Sequence, residues 1–217
     1  LSRHREIIMD KEHSVTVVDL LRHGRCEGGE IYRGTTDVAL SEEGWQQMNQ
    51  AVGSGKQFPW DHIISSPLKR CLEFSRSISS STGAQVAVID GLRELYFGEW
   101  EGRSIADVWE KDTQRVRDFT EDPILNSPPK GEALVDAQIR VQRAWETILE
   151  QYSGQHILLV QHGGTMRILL AYFLNIPLLS VLRIEVPYAA LSRIKIYHGE
   201  RGDWPVLEFH NGHLETL

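Results

Sequence analysis

Two mostly apolar runs each end in a His-Gly pair. Val15-Thr16-Val17-Val18-Asp19-Leu20-Leu21 leads into Arg22-His23-Gly24, and Ile157-Leu158-Leu159-Val160-Gln161 leads into His162-Gly163-Gly164. A short apolar run bounded by a turn signal reads as a buried strand. Strands buried on both faces need helices on both sides, and side chains just past their carboxyl ends converge in one crevice. These two runs therefore constrain the chain to an α/β fold.

The rest of the sequence fits that frame. Ser41 is the N-cap of a helix, Asp61 to Ser65 is a short strand, and Pro67 opens a second helix that closes over Ser79 to Gly83. Val86 to Ile89 is a third strand. Ile105, Val108, Trp109, Val116 and Phe119 share helical spacing and predict one amphipathic helix. The three prolines between Asp122 and Lys130 impose a loop, and a long helix from about Leu134 to Tyr152 returns to the second His strand. Leu182 to Tyr197 and Val206 to His210 read as two further strands. Strands alternating with helices predict a three-layer α/β/α sandwich with a mostly parallel central sheet. Residues 1–14 read as a flexible extension and 15–217 as a single domain.

At 217 residues, 41% hydrophobic and 24% charged, the chain has the composition of an ordinary globular domain. Its 23 basic and 30 acidic residues leave a net charge of -7, which gives no broad footprint for nucleic acid or an anionic membrane. An anionic substrate must then be met by a local cluster of Arg and His. Two cysteines, Cys26 and Cys71, cannot form a disulfide framework, and the charged first fourteen residues lack the apolar core of a signal peptide. The expected setting is the cytoplasm. The longest clean apolar run, Ile168 to Leu174, is too short to span a bilayer.

Arg beside His at a strand edge suits phosphoryl transfer: an imidazole attacks phosphorus while a guanidinium fork holds the phosphate oxygens. Arg70, one turn into the helix after Ser66-Pro67, is placed to reach the same phosphate, although a lone Arg on a helix more often faces solvent. An alkoxide leaving group needs a proton. Glu94, Glu99 and Glu101 are the candidate donors, and sequence order does not choose among them. The remaining histidines show no compact metal-ligand spacing.

In the order Arg22-His23-Gly24, Ser66-Pro67-Leu68-Lys69-Arg70, Leu92-Arg93-Glu94 followed by Gly98 and Glu101-Gly102, Gly131-Glu132 before a helix, and His162-Gly163-Gly164, the chain resembles the histidine phosphatase superfamily, also called phosphoglycerate mutase-like. The likeness runs from Val15 to about His198. It implies His23 as nucleophile, Arg22, Arg70 and His162 as the phosphate pocket, Glu94 as general acid and then base, and no metal or cofactor. His162 thus counts with His23 and Glu94 among the catalytic residues, and Arg33 and Gly163 are candidates for contact with substrate.

The chain also departs from the family pattern. Many members follow Arg-His-Gly with Glu-Thr and an Asn three residues later, where this chain has Arg25, Cys26 and Gly29. Arg25 or Arg33 is the candidate to supply the missing contact, and Cys26 reads as buried filler. Mutases carry Glu-Arg-His-Tyr-Gly at the acid, whereas here the stretch is Glu94-Leu95-Tyr96-Phe97-Gly98, and the segment from Glu94 to His162 looks shorter. Hydrolysis is favoured over transfer. Within the phosphatases, Tyr32 to Leu40 with Glu94 to Gly102 is most similar to the α-ribazole phosphatases, which implies α-ribazole 5′-phosphate as substrate in cobalamin nucleotide loop assembly, with a broad-specificity or sugar-phosphate (fructose bisphosphate-like) phosphatase as the alternative and a mutase or a non-catalytic phosphate-binding module ranked lower. Tyr96, Phe97, Trp100, Trp109 and Phe119 are candidates to line a slot for an aromatic base. The expected partner is a small phosphate ester. Subunit number is left open, a dimer being one arrangement.

Overall fold

The strand that carries Arg22, β1 (Val15–Arg22), lies inside the sheet between a parallel and an antiparallel neighbour. The computed structural model describes residues 14–53 and 58–214. The expected extension therefore lies, but for Ser14, outside the described residues. The chain continues through α1 (Glu42–Val52), β2 (His62–Ser65), α2 (Lys69–Thr82) and β3 (Gln85–Val88), then leaves the sheet for α3 (Ile105–Lys111) and α4 (Thr113–Glu121). It returns through α5 (Leu134–Tyr152), β4 (His156–Gln161) and α6 (Gly163–Phe173), and ends with β5 (Leu191–Tyr197) and β6 (Trp204–Gly212). The strand order is β3-β2-β4-β1-β5-β6; the first four strands are parallel, β5 runs antiparallel to β1, and β6 runs antiparallel to β5.

Side-chain alternation along β1 and β4 divides the interior in two. Val18 and Leu20 of β1, with Ile157 and Leu159 of β4, pack under Val141, Trp145 and Ile148 of α5 and Met166 and Leu169 of α6. Leu21, Leu158 and Val160 face the other way, against Met48 and Val52 of α1 and Phe74 and Ile78 of α2. Each such side chain contributes about 1.5–3 kcal/mol on burial. The layers are those of the expected sandwich. Ser41 caps α1, its side chain accepting from Gly44 N at 3.1 Å, and Gly83 closes α2 in the left-handed conformation at φ 79.

Two expectations need correction. The single amphipathic helix predicted over Ile105 to Phe119 is broken at Asp112 into α3 and α4. Arg103 binds Asp107 and Asp112, each at 2.8 Å, and so ties the start of one helix to the start of the other. The break lets Val108, Val116 and Phe119 fold around Trp100 as a third small core. The strand predicted from Leu182 begins only at Leu191, because residues 178–183 form a 3₁₀ turn and the stretch after them wraps the end of β1. Among the described residues no helix is long and apolar enough to cross a membrane.

Candidate active site

The carboxyl ends of three parallel strands stand level. His23 N donates to Gln161 O at 2.9 Å and Ser66 N to Val160 O at 3.0 Å, so the residues after β1, β2 and β4 meet at one sheet edge. Above them lies a cavity of about 470 Å³, lined by Arg22, His23, Arg33, Arg70, Glu94, Gly163 and Gly164 among others.

His23 is 4% exposed, and its Nδ1 sits 2.7 Å from Gly24 O. A carbonyl only accepts, so Nδ1 carries the proton and the lone pair stands on Nε2. Burial, with Arg70 and Arg22 nearby, holds the imidazole well below its usual pKa, so the ring is neutral. Gly24 has no room for a side chain: a Cβ there would lie 2.2 Å from Gly44 O, at the start of α1. This close approach holds the turn that places His23.

Arg70 is fully buried and reaches the site from the first turn of α2. Its Nη1 and Nη2 donate to Thr36 O at 2.9 Å and Gly34 O at 2.6 Å. That loop is itself fixed by Glu101, which accepts from Thr35 N at 2.7 Å and Thr36 Oγ1 at 2.9 Å. Arg70 Nε donates to Nδ1 of His162 at 3.2 Å. Since Nε–H cannot accept, Nε2 of the neutral His162 ring carries the proton and faces Ser66 Oγ at 2.7 Å. His162 is fully buried, and its pKa is lowered by burial and then by Arg70 and His23. Both of its ring nitrogens are engaged, and it stands behind Arg70, which lines the cavity.

Glu94 stands on the wall of the cavity, its Oε2 accepting from Gly164 N at 3.0 Å and Oε1 from Leu95 N at 3.0 Å. A Cβ on Gly164 would lie 2.4 Å from Glu94 Oε1, which explains the glycine. The structure also separates the three acidic candidates. Glu101 is spent on the Thr35 and Thr36 loop, and Glu99 is exposed and paired with Lys130 at 2.7 Å. Glu94 alone of the three lines the cavity.

Arg33 and Arg25 part ways. Arg33 is 7% exposed and lines the cavity, and its Nη2 donates to the carbonyls of Cys26, Glu27 and Gly29, folding the loop that follows His23. Arg25 turns to Glu30 and Glu43, at 3.2 Å each. Cys26 is buried, as expected, and its Sγ lies 3.5 Å from His23 Nδ1; burial raises the pKa of its thiol. Of the aromatic candidates, Phe97 and Phe119 line the cavity with Ile31, Tyr32, Ile105 and Leu182. Trp100 is wholly buried behind them, Trp109 is exposed, and Tyr96 borders a second cavity of about 410 Å³ that shares Glu94.

Sequence reasoning missed Arg167 and Tyr188, both of which line the main cavity. Arg167 is the fifth residue of α6, one turn past its start, so its spacing from His162 was a usable signal. Its pKa is lowered by burial and by Arg22. Tyr188 comes from an irregular stretch and carried no such signal.

Residues 18–209 match the family described as histidine phosphatase superfamily (branch 1). The bifunctional protein Rv2228c of Mycobacterium tuberculosis is 32% identical over 181 residues, which cover 82% of this chain and 50% of that protein. The chain thus spans about half the length of that curated relative. Among solved structures, a mycobacterial glucosyl-3-phosphoglycerate phosphatase in complex with VO3 is 25% identical with a TM-score of 0.79, over 90% of this chain and 99% of that one. A putative alpha-ribazole-5'-P phosphatase from Escherichia coli is 24% identical with a TM-score of 0.76, over 91% and 96%, a likeness of fold. The chain belongs to the histidine phosphatase superfamily, branch 1.

Proposed function

We propose that the chain is a metal-independent phosphomonoesterase that works through a phosphohistidine at His23. The observation that carries this reading is the neutral His23 ring, with Nδ1–H tied to Gly24 O and Nε2 left as nucleophile in a cavity lined by Arg22, Arg33, Arg70 and Arg167. Nε2 attacks phosphorus, the P–O ester bond breaks, and Glu94 gives its proton to the departing alkoxide. Water then attacks phosphorus while Glu94 takes a proton from it, the P–N bond breaks as the new P–O bond forms, and inorganic phosphate leaves with His23 restored. Charge spread over the phosphoryl oxygens in the transition state is met by preorganised guanidinium groups, which is where most of the rate enhancement arises.

The substrate read from the sequence is α-ribazole 5′-phosphate. The apolar outer wall of Ile31, Tyr32, Phe97, Ile105, Phe119 and Leu182 supports a leaving alcohol that carries a flat, uncharged ring system. The cationic floor also suits the second reading, a sugar-phosphate phosphatase, since Arg33 and Arg167 exceed what one phosphate needs. The lability of the P–N bond identifies the nucleophile: a phosphohistidine survives alkali and hydrolyses in acid, so brief exposure to a ³²P-labelled phosphomonoester, quenched in alkali, should leave acid-labile label on His23, and its absence refutes the covalent route. A phosphomonoester panel compared by kcat/KM then chooses between the substrates. α-Ribazole 5′-phosphate should lead it, and a lead by hexose phosphates selects the alternative.

A further inference from the structure

Tyr188 belongs to a stretch that is wrapped around the end of β1 by its own backbone. Ala189 N donates to His23 O at 3.2 Å, Arg22 N donates to Ala190 O at 3.0 Å, and Arg22 Nη1 donates to Val186 O at 2.5 Å. Ala189 adopts φ 55, a left-handed conformation that an alanine takes only when its surroundings impose it. The turn delivers the Tyr188 ring into the cavity, where the Arg22 guanidinium carbon lies 4.3 Å from the ring centroid and the His23 ring is 5.8 Å away. Arg33 Nη1 donates to the Tyr188 hydroxyl at 3.5 Å.

Arg22 needs such a support. No carboxylate among the described residues lies within ion-pair distance of it, and its buried Nε has no hydrogen-bond partner. Its plane is set by the bond to Val186, by the aromatic face of Tyr188, and by the bare backbone of Gly163, where a Cβ would come within 3.2 Å of Nε. A guanidinium over an aromatic ring is attracted to the ring face and keeps its N–H edges free for an anion.

We propose that Tyr188 is a positioning residue for phosphoryl transfer, its ring holding the Arg22 guanidinium in the plane from which it grips the phosphoryl oxygens beside His23. The inference rests on the reading that Arg22 binds the phosphoryl group. Strain at Ala189 and the two backbone bonds to Arg22 and His23 make the ring's place part of the same construction as the nucleophile's.

The test is a double-mutant cycle on Tyr188→Leu and Arg22→Lys, with Tyr188→Phe as the conservative control. It is read by the Kd of inorganic phosphate and by kcat and KM for p-nitrophenyl phosphate. Tyr188→Phe should stay within about twofold of the parent in all three quantities, because it keeps the ring. Tyr188→Leu should weaken phosphate binding and lower kcat, each about tenfold, and should add less than about twofold to the loss in Arg22→Lys. Should the leucine variant fold poorly, Tyr188→Met takes its place in the same cycle. Parent-like phosphate binding and kcat in the leucine or methionine variant, or losses that multiply with those of Arg22→Lys, overturn the inference while leaving the functional reading intact. A silent Arg22→Lys overturns the functional reading and the inference with it.

Discussion

Nδ1 of His23 donates to the carbonyl of Gly24, its own neighbour, at 2.7 Å, so the tautomer of the proposed nucleophile is set within a single turn of chain. Its pKa is pushed well below the ordinary imidazole value by burial and by Arg70 and Arg22. Protonation silences Nε2, and a lowered pKa moves that event to lower pH. With an aryl phosphate, kcat/KM is therefore expected to hold as pH falls through about 6.5 and to fail only below it. An acid limb centred at or above that value would contradict the neutral ring. His23→Ala should remove turnover with the fold intact; retention of more than about a tenth of kcat, a loss under ~1.4 kcal/mol in the barrier, removes His23 from the role.

Guanidinium groups rather than a metal ion are proposed to hold the transferring phosphoryl group. Chelation by EDTA should then leave kcat unchanged, and vanadate should inhibit, because its trigonal bipyramidal form resembles the in-line transition state between His23 and the leaving oxygen. Steady-state rates with and without EDTA and a vanadate titration check both. Activity lost to EDTA and restored by a divalent ion points instead to a metal-dependent route.

Away from the site, Asp19 lies fully buried in β1 and accepts from Trp60 Nε1 at 2.7 Å, His156 Nε2 at 2.9 Å and Arg193 Nε at 2.7 Å. Burial raises its pKa, but hydrogen bonds from His156 and Arg193 outweigh that, and the carboxyl sits below its usual value. A depressed pKa means that the stabilisation is complete above the unfolded value of 3.8 and is lost as pH falls through the lower folded value. Asp19→Asn should cost about 3 kcal/mol at pH 7, since it leaves Arg193 short of a buried partner. Urea unfolding across pH should show that difference shrinking in strong acid. A difference under about 1 kcal/mol at pH 7, or one that does not change with pH, would show that the network does not stabilise the fold in this way.

The sandwich and the convergence of His23, Arg70 and His162 could be read in the sequence because each residue follows a strand or opens a helix with a strong local signal, whereas only the family resemblance chose Glu94 among three carboxylates. The long helix Leu134–Tyr152 was legible to the residue for the same reason: nineteen positions sustain one periodicity. Tyr188 was not, since an irregular stretch pinned by Arg22 and His23 exists only once β1 is in place. The break at Asp112 goes with Arg103, a nearby cation outside the apolar spacing of Ile105 to Phe119, which does not report it. Whether Arg33 or Arg25 faces the cavity was a matter of loop path. Glu30 and Glu43 draw Arg25 away, and three carbonyls draw Arg33 in.

Gly164 offers a way to displace Glu94, the proposed acid, without changing its carboxyl group. A methyl group there would press on Glu94 Oε1 and on Leu95 Cδ1, each 2.4 Å away. Alanine is a better helix former than glycine, so Gly164→Ala should leave thermal stability within a few degrees while lowering kcat about tenfold or more, as a displaced acid misses the leaving oxygen. Unfolding midpoints and kcat for an alkyl phosphate measure the two effects. Unchanged kcat would mean that Glu94 does not act from the position it holds against α6.

The sharpest test of Glu94 itself uses the leaving group. If it protonates the departing oxygen, Glu94→Gln should harm alkyl esters, whose alkoxides leave poorly, far more than p-nitrophenyl phosphate, whose phenolate departs with little help. Glu99 is exposed and bound to Lys130, so Glu99→Gln should leave both esters alone. Glu101 braces the Thr35 and Thr36 loop that holds Arg70, so Glu101→Gln should slow both esters by similar factors, as loss of a phosphate contact would. Measuring kcat for both ester types in all three variants separates an acid from a brace. Equal losses for alkyl and aryl esters in Glu94→Gln, or a selective alkyl loss in either neighbour, would take the proton from Glu94.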